Sequence, residues 1–119
     1  AFSSLDWLQI PYKNSCYEHG YQSYPCMLMP NEVTSSPVEE INSIRNAWMD
    51  ELQKSGVSTR PATHAVHMLS FYREKYRLSP ENFPNARVAD QCSISLPLFH
   101  GMKKNEQDFV IEKILESKF

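Results

Sequence analysis

Apolar side chains recur three and four residues apart at Val38, Ile41, Ile44, Trp48 and Leu52, and the positions between them are mostly polar. That spacing places one apolar stripe along a helix and predicts a helix from about 37 to 55. Its ends are marked in the sequence. Ser36-Pro37-Val38-Glu39 reads as a capping box with proline at the first helical position. Gly56 stands where a left-handed residue is wanted to close the last turn.

The flanking segments are shorter and less regular. Residues 18–29 are rich in tyrosine, with Cys26 and two methionines, and predict a strand. Pro25 within it calls for an edge position or a bulge. Residues 1–16 form an irregular lead-in, with a short helix expected near 5–8, and residues 31–36 read as a turn-rich connector. Beyond Gly56, residues 57–59 suit a short strand because Val57 and Thr59 are β-branched. Residues 64–76 suit either a helix or an aromatic-lined loop. Ser79-Pro80 opens a turn, and Pro84 fits the first turn of a helix carrying Ala86, Ala89 and Cys92. Ser93-Ile94-Ser95-Leu96 alternates like a half-buried strand that Pro97 stops. A last helix from about 105 would bury Val110, Ile114 and one or both of Ile111 and Leu115. The order strand, helix, strand, helix, strand, helix predicts a single α+β domain over 1–119: a small, mostly antiparallel three-stranded sheet covered on one face by helices.

Composition narrows the function classes. At 119 residues, 41% hydrophobic and 22% charged, the chain reads as an ordinary globular domain. A net charge of −2 with scattered lysines and arginines argues against nucleic-acid binding. No apolar run reaches the ~20 residues that span a bilayer. The first residues lack the pattern of a signal peptide, and three irregularly spaced cysteines do not suggest a disulfide framework, so a cytoplasmic setting is expected. Ala1 fits removal of an initiator methionine or a piece of a longer polypeptide.

Candidate chemistry concentrates between Gly56 and Tyr76, where Arg60, His64 and His67 lie within eight residues. Arg60 offers a rigid fork of donors to carboxylate or phosphate, and Pro61 would fix the turn that aims it; a surface ion pair is the plainer reading. His64 and His67 could share a helical face, or serve one as a structural and one as a solvated histidine. His19, flanked by Tyr17 and Tyr21, could line a pocket or hydrogen-bond within the fold. The spacings of Cys16, His19 and Cys26 match no zinc pattern. Cys92 beside Asp90 would have its thiol pKa raised rather than lowered, which suits a buried cysteine better than a nucleophile.

The segment GVSTRPATHAVHMLSFYREKY, followed by Phe83-Pro84, Ser95-Leu96-Pro97-Leu98-Phe99 and Glu106-Gln107, resembles the C-terminal region of the DegT/DnrJ/EryC1/StrS family. These are pyridoxal-phosphate-dependent aminotransferases acting mainly on nucleotide-linked keto-sugars. The segment beginning at His19 is similar to the strand that opens the family's small domain, so the resemblance covers nearly the whole chain. It implies the small domain of a fold-type I aminotransferase, with Arg60, His64, His67 and His19 as substrate-binding residues on one wall of the cleft. It also implies pyridoxal phosphate in the full-length enzyme, an N-terminal cofactor-binding domain as partner, a nucleotide-sugar with glutamate as amino donor, and a homodimer. Lys103 stands where the family has a Thr or Ser helix cap. The family's Schiff-base lysine, the acid facing the pyridine nitrogen and the phosphate-holding residues belong to the large domain and have no counterpart here. The chain by itself is therefore expected to be inactive, with no catalytic, cofactor-binding or metal-binding residue of its own. The competing reading is a stand-alone, non-catalytic module binding a sugar nucleotide or a protein. A domain parted from its partner should expose apolar surface, and Phe2, Leu5, Trp7 and Leu8 are the expected candidates.

Overall fold

A computed structural model describes residues 1–29 and 37–117. Within them the chain forms strands β1 (Leu8–Gln9) and β2 (Tyr24–Leu28), helix α1 (Val38–Lys54), helix α2 (Ser70–Tyr76), helix α3 (Pro84–Cys92), strand β3 (Ser93–Leu96) and helix α4 (Lys104–Leu115). Single 3₁₀ turns at Val66–Met68 and Pro80–Asn82 precede α2 and α3. The three strands make one antiparallel sheet in the order β1-β2-β3. The α+β architecture expected from the sequence is the one observed.

The third strand is not where the pattern put it. Residues 57–59 form no strand; a single bridge joins Arg60 to Ser95 at the outer edge of β3. The lead-in supplies the strand instead, as Leu8 pairs with Leu28 and Gln9 with Met27. No helix forms near 5–8. The ladder is extended by the Met29 amide donating to the Trp7 carbonyl at 2.6 Å. Two-residue strands leave no periodicity to read, so the sequence around β1 looks irregular. The apolar residues around it enter the core, contrary to the expectation of an exposed face: Phe2 and Leu8 are buried, and Leu5 and Trp7 pack against the same cluster.

Pro25 lies in β2, the central strand, yet costs no ladder bond. The Ser95 amide points away from β2, donating to the Arg60 carbonyl at 2.7 Å, so Pro25 and Ser95 face each other as a non-hydrogen-bonded pair. The missing proline N–H would point toward β1, which pairs with β2 only at Met27 and Leu28.

The core lies between one sheet face and the helices. Leu8, Cys26, Leu28, Ile94 and Leu96 meet Ile41, Trp48 and Leu52 of α1, Cys92 of α3 and Ile114 of α4. Trp7 packs edge-on against Trp48 at 5.3 Å, and the Trp48 indole N–H donates to the Ser117 hydroxyl at 2.7 Å, tying the end of α4 to α1. Val38 and Ile44 complete the α1 stripe as partly buried members; Val110 and Ile111 do so on α4, where Leu115 is exposed. β3 is buried at all four positions rather than half-buried. Ser93 can be buried because its polar groups are used: Arg45 donates to the Ser93 carbonyl at 2.9 Å, and the Ser93 hydroxyl donates to the Ala89 carbonyl.

The capping box expected at the start of α1 rests on a residue that the structure does not describe. Ser36 lies outside the described residues; Pro37 precedes the helix, and its carbonyl accepts from Glu40. The Glu39 carboxylate pairs with Arg87 of α3. The connector at 31–36 also lies outside the described residues. At the other end the amide of Gly56 donates to Gln53 and that of Val57 to Leu52, with Gly56 at φ +86°. That is a Schellman closure, with Val57 and Leu52 both buried beside it. At α4, the lysine replacing a Thr or Ser cap leaves half a capping box: the Glu106 carboxylate still accepts from the Lys103 amide at 2.7 Å.

Candidate functional site

The Gly56 closure fixes the direction in which the chain leaves α1. Val57 drops into the core, and the backbone then runs extended along the edge of β3 until the Arg60 carbonyl bonds to Ser95. Its side chains open onto a cleft of about 840 Å³. One wall is the segment 56–60, the second runs from Ser95 to Phe99 with Met102, and the third is the first half of α4 from Asn105 to Val110. Gln22 and Ser23 also belong to the lining. Phe99 and Phe109, each about half exposed, stand at the apolar part of this lining.

Arg60 is the cation of this lining and Glu106 its anion. Glu106 is engaged with the Lys103 amide, whereas Arg60 makes no ion pair among the described residues. Next to it, the Thr59 hydroxyl oxygen is buried and has no hydrogen-bond partner among the described residues. A buried hydroxyl without a partner is costly, about 1–3 kcal/mol, and is satisfied when a ligand's polar atom reaches it. A lining that carries a guanidinium, hydroxyls, side-chain amides and two phenylalanines suits an anionic ligand carrying a flat or apolar part. Among the described residues the lining holds no histidine, cysteine or lysine, and its ionisable groups are the Arg60 guanidinium and the Glu106 carboxylate.

The structure separates the other candidates. His19 lies in the long excursion between β1 and β2, in a second concavity of about 510 Å³ lined also by Tyr12, Tyr17 and Tyr21. Its Nδ1 accepts from the Tyr21 amide at 2.8 Å, and its ring packs against that of Tyr21 at 4.6 Å with the planes tilted by 35°. His64 is exposed, with Nδ1 3.5 Å from Asp90 at the end of α3. His67 is buried in the 3₁₀ turn before α2, packed on Phe83 at 5.2 Å, with Nε2 lacking a partner among the described residues. His64 and His67 are thus in an extended stretch and a 3₁₀ turn, not on one helical face. No group of three or more His, Cys, Asp or Glu comes together among the described residues. Cys26 and Cys92 are buried, and desolvation pushes the Cys26 thiol up to about 12 and raises that of Cys92 as well. Sequence reasoning missed Thr59, Ser95, Phe99 and Phe109 as cleft residues. Only the pairing of the 56–60 segment with β3 and the placing of α4 beside it bring them together.

A model of the DegT/DnrJ/EryC1/StrS aminotransferase family matches residues 22–115. The chain belongs to that family. Among curated relatives it is 23% identical over 113 residues to an uncharacterized protein of Methanocaldococcus jannaschii, covering 95% of this chain and 27% of the relative. It is 22% identical over 114 residues to the spore coat polysaccharide biosynthesis protein SpsC of Bacillus subtilis, covering 96% of this chain and 28% of that protein. Among solved structures, PseC of Helicobacter pylori, an aminotransferase involved in the biosynthesis of pseudoaminic acid, shares the fold with a TM-score of 0.75 at 14% identity, over 97% of this chain and 28% of its own. The aminotransferase TlmJ of Streptoalloteichus hindustanus gives a TM-score of 0.70 at 22% identity, over 94% of this chain and 26% of its own. The sugar aminotransferase CalS13 of Micromonospora echinospora gives 0.68 at 14%, over 95% and 26%. The chain therefore spans about a quarter of the length of each relative. No helix among the described residues is long and apolar enough to cross a membrane.

Proposed function

We propose that this chain is the C-terminal small domain of a pyridoxal-phosphate-dependent aminotransferase acting on nucleotide-linked keto-sugars, and that it contributes one wall of the substrate cleft. The observation that carries this is that Arg60, without an ion pair among the described residues, and Thr59, whose hydroxyl has no partner among them, line one open cleft of a family-member fold. In this reading Arg60 pairs with a phosphate of the nucleotide-sugar or with the carboxylate of the amino donor, glutamate being the expected one, and Thr59 and Ser95 fix its orientation. His19, His64 and His67 lie outside that lining, so contact from them requires a partner domain to extend the cleft.

The cofactor does not fit the residues of this cleft. Pyridoxal phosphate needs a lysine amine to hold its aldehyde, and the lining has none. We therefore assign cofactor binding and the chemical step to an N-terminal domain of the same polypeptide, in a homodimeric cytoplasmic enzyme, and derive no step through this chain. The same lack of a lysine in the lining is compatible with a second reading: a stand-alone module that binds a sugar nucleotide or a protein without catalysis.

Two measurements separate them. Pyridoxal phosphate added to the 119-residue chain should give no imine absorbance band, while the longer polypeptide that carries it upstream should give one. A coding sequence with no upstream lysine-bearing domain would leave the binding-module reading in place. In the longer enzyme, Arg60→Ala should raise the apparent KM for sugar or donor roughly 10- to 100-fold, the equivalent of one charge-assisted hydrogen bond of about 1.5–3 kcal/mol. Unchanged kinetics would remove Arg60 from the site.

A further inference from the structure

Phe2, Leu5, Trp7 and Leu8 do not form the exposed apolar surface expected of them, whereas a run of exposed apolar side chains follows the segment 66–83. Val66, Leu69, Phe71, Tyr72, Tyr76 and Phe83 are between 38% and 62% exposed, and they succeed one another along the 3₁₀ turn, α2 and the turn before α3. α2 buries no residue. Its principal neighbour is the 3₁₀ turn that precedes it, not the sheet. A seven-residue helix is well below the ~12–15 residues that sustain a helix in water, and packing of an apolar face normally makes up the difference. Here the rings are already ordered on the outside: Phe71 meets Tyr72 edge-on at 5.2 Å, and Tyr72 stacks on Tyr76 at 6.3 Å. Lys75 lies over both Phe71 and Tyr76, 5.3 and 5.4 Å from their ring centres.

We propose that this aromatic ridge is where the cofactor-bearing domain of the same polypeptide docks, through an apolar patch rimmed by acidic side chains. The inference rests on the proposed function and adds the surface through which it is realised. Two observations choose the occupant. The three solved relatives carry this fold in chains of which it makes up only 26–28%, so in each about three quarters of the polypeptide is available to cover such a face. The ridge is also basic: Arg73, Lys75 and Arg77 stand against Glu74 alone between residues 70 and 77, in a chain whose net charge is −2. A second copy meeting it across a two-fold axis would bring these cations face to face, which is unfavourable. An acidic rim on another domain would instead complement them. Docking there buries the exposed rings and supplies α2 with packing it lacks among the described residues.

Amide hydrogen exchange tests this. The rates for residues 70–76 would be compared in the 119-residue chain, in the longer polypeptide, and in the longer polypeptide carrying Phe71→Asp with Tyr76→Asp. These positions are exposed, so the double variant should leave the fold of the 119-residue chain intact, checked by circular dichroism. The expected result is exchange about 100-fold or more slower in the longer polypeptide than in the 119-residue chain, and fast again in the double variant. Equal rates in the two wild-type forms would overturn the proposal. So would protection in the 119-residue chain that grows with its concentration, because a second copy would then be the occupant. The imine band is read on the same sample. A polypeptide that binds pyridoxal phosphate but leaves α2 unprotected refutes the docking surface alone, whereas one without the band refutes the proposed function.

Discussion

Replacing Gly56 by alanine isolates one local term of the fold, because the structure shows where the added methyl would go. Gly56 sits at φ +86°, and a Cβ built there meets only the Cε1 atom of Phe109, at 4.0 Å, an ordinary van der Waals contact. Sterics with neighbours therefore contribute nothing, and the whole cost is that of holding an L-residue in the left-handed region, about 1–2 kcal/mol. Part of this is offset because alanine leaves the unfolded chain fewer conformations than glycine does, a gain of about 0.4–1 kcal/mol where strain is absent. The expected net loss is about 1 kcal/mol, or roughly 4 °C in Tm for a domain of this size. Gly56→Asn should lose less than half as much, since asparagine enters this region more readily. Urea unfolding followed by circular dichroism reads both, with the m-value unchanged. An alanine variant as stable as the wild type would mean that the helix does not close through a left-handed Gly56. A loss above about 4 kcal/mol would mean that the closure supports more than its own backbone, and the reasoning would fail in that direction.

The core and the cleft give three further expected outcomes. Trp48→Ala removes the ring that joins α1 to Trp7 and to Ser117 of the C-terminal turn, and should cost about 3–5 kcal/mol, enough to unfold most of a marginally stable domain; a folded variant with near-native Tm would contradict the assigned packing. Thr59→Val should keep or slightly raise stability, because it deletes a buried hydroxyl that has no partner among the described residues, so a loss above about 1 kcal/mol in urea would show that the hydroxyl is satisfied after all. The Cys26 thiol is neutral in the fold up to a pKa of about 12 but ionises near 9 once unfolded, so above pH 9 the unfolded state binds fewer protons and stability falls as pH rises. Cys92 and Tyr24, raised mainly by desolvation, and Lys113, raised by Glu116 and Glu112, act in the same direction. Cys26→Ala should therefore flatten the decline between pH 9 and 11 without abolishing it; an unchanged slope would rule out burial of that thiol.

Features that depend on neighbours within a few residues were legible in the chain alone. The α1 stripe, its glycine closure, the proline start of α3 and the apolar positions of α4 are all local, because helix hydrogen bonds span four residues and side chains three and four apart share a face. The family motif was legible for a similar reason, being a run of residue types at set spacing. The tertiary structure decided what depends on pairing across the chain. β1 exists because Leu28 and Met27 stand opposite it, and the 57–59 segment stops short of a strand because its bonding to β3 is a single bridge at Arg60. Burial of Leu8 and exposure of Phe71 reverse the expectation of an exposed lead-in, since which apolar residue is covered depends on what packs over it. The cleft was half readable: Arg60 stood out by its chemistry, but Thr59, Ser95 and Phe109 become its neighbours only through the sheet edge and the placement of α4. Adjacent sequence separates His67 from His64 by two residues, yet folding buries one and leaves the other in solvent, because the 3₁₀ turn at Val66–Met68 rotates one imidazole inward against Phe83.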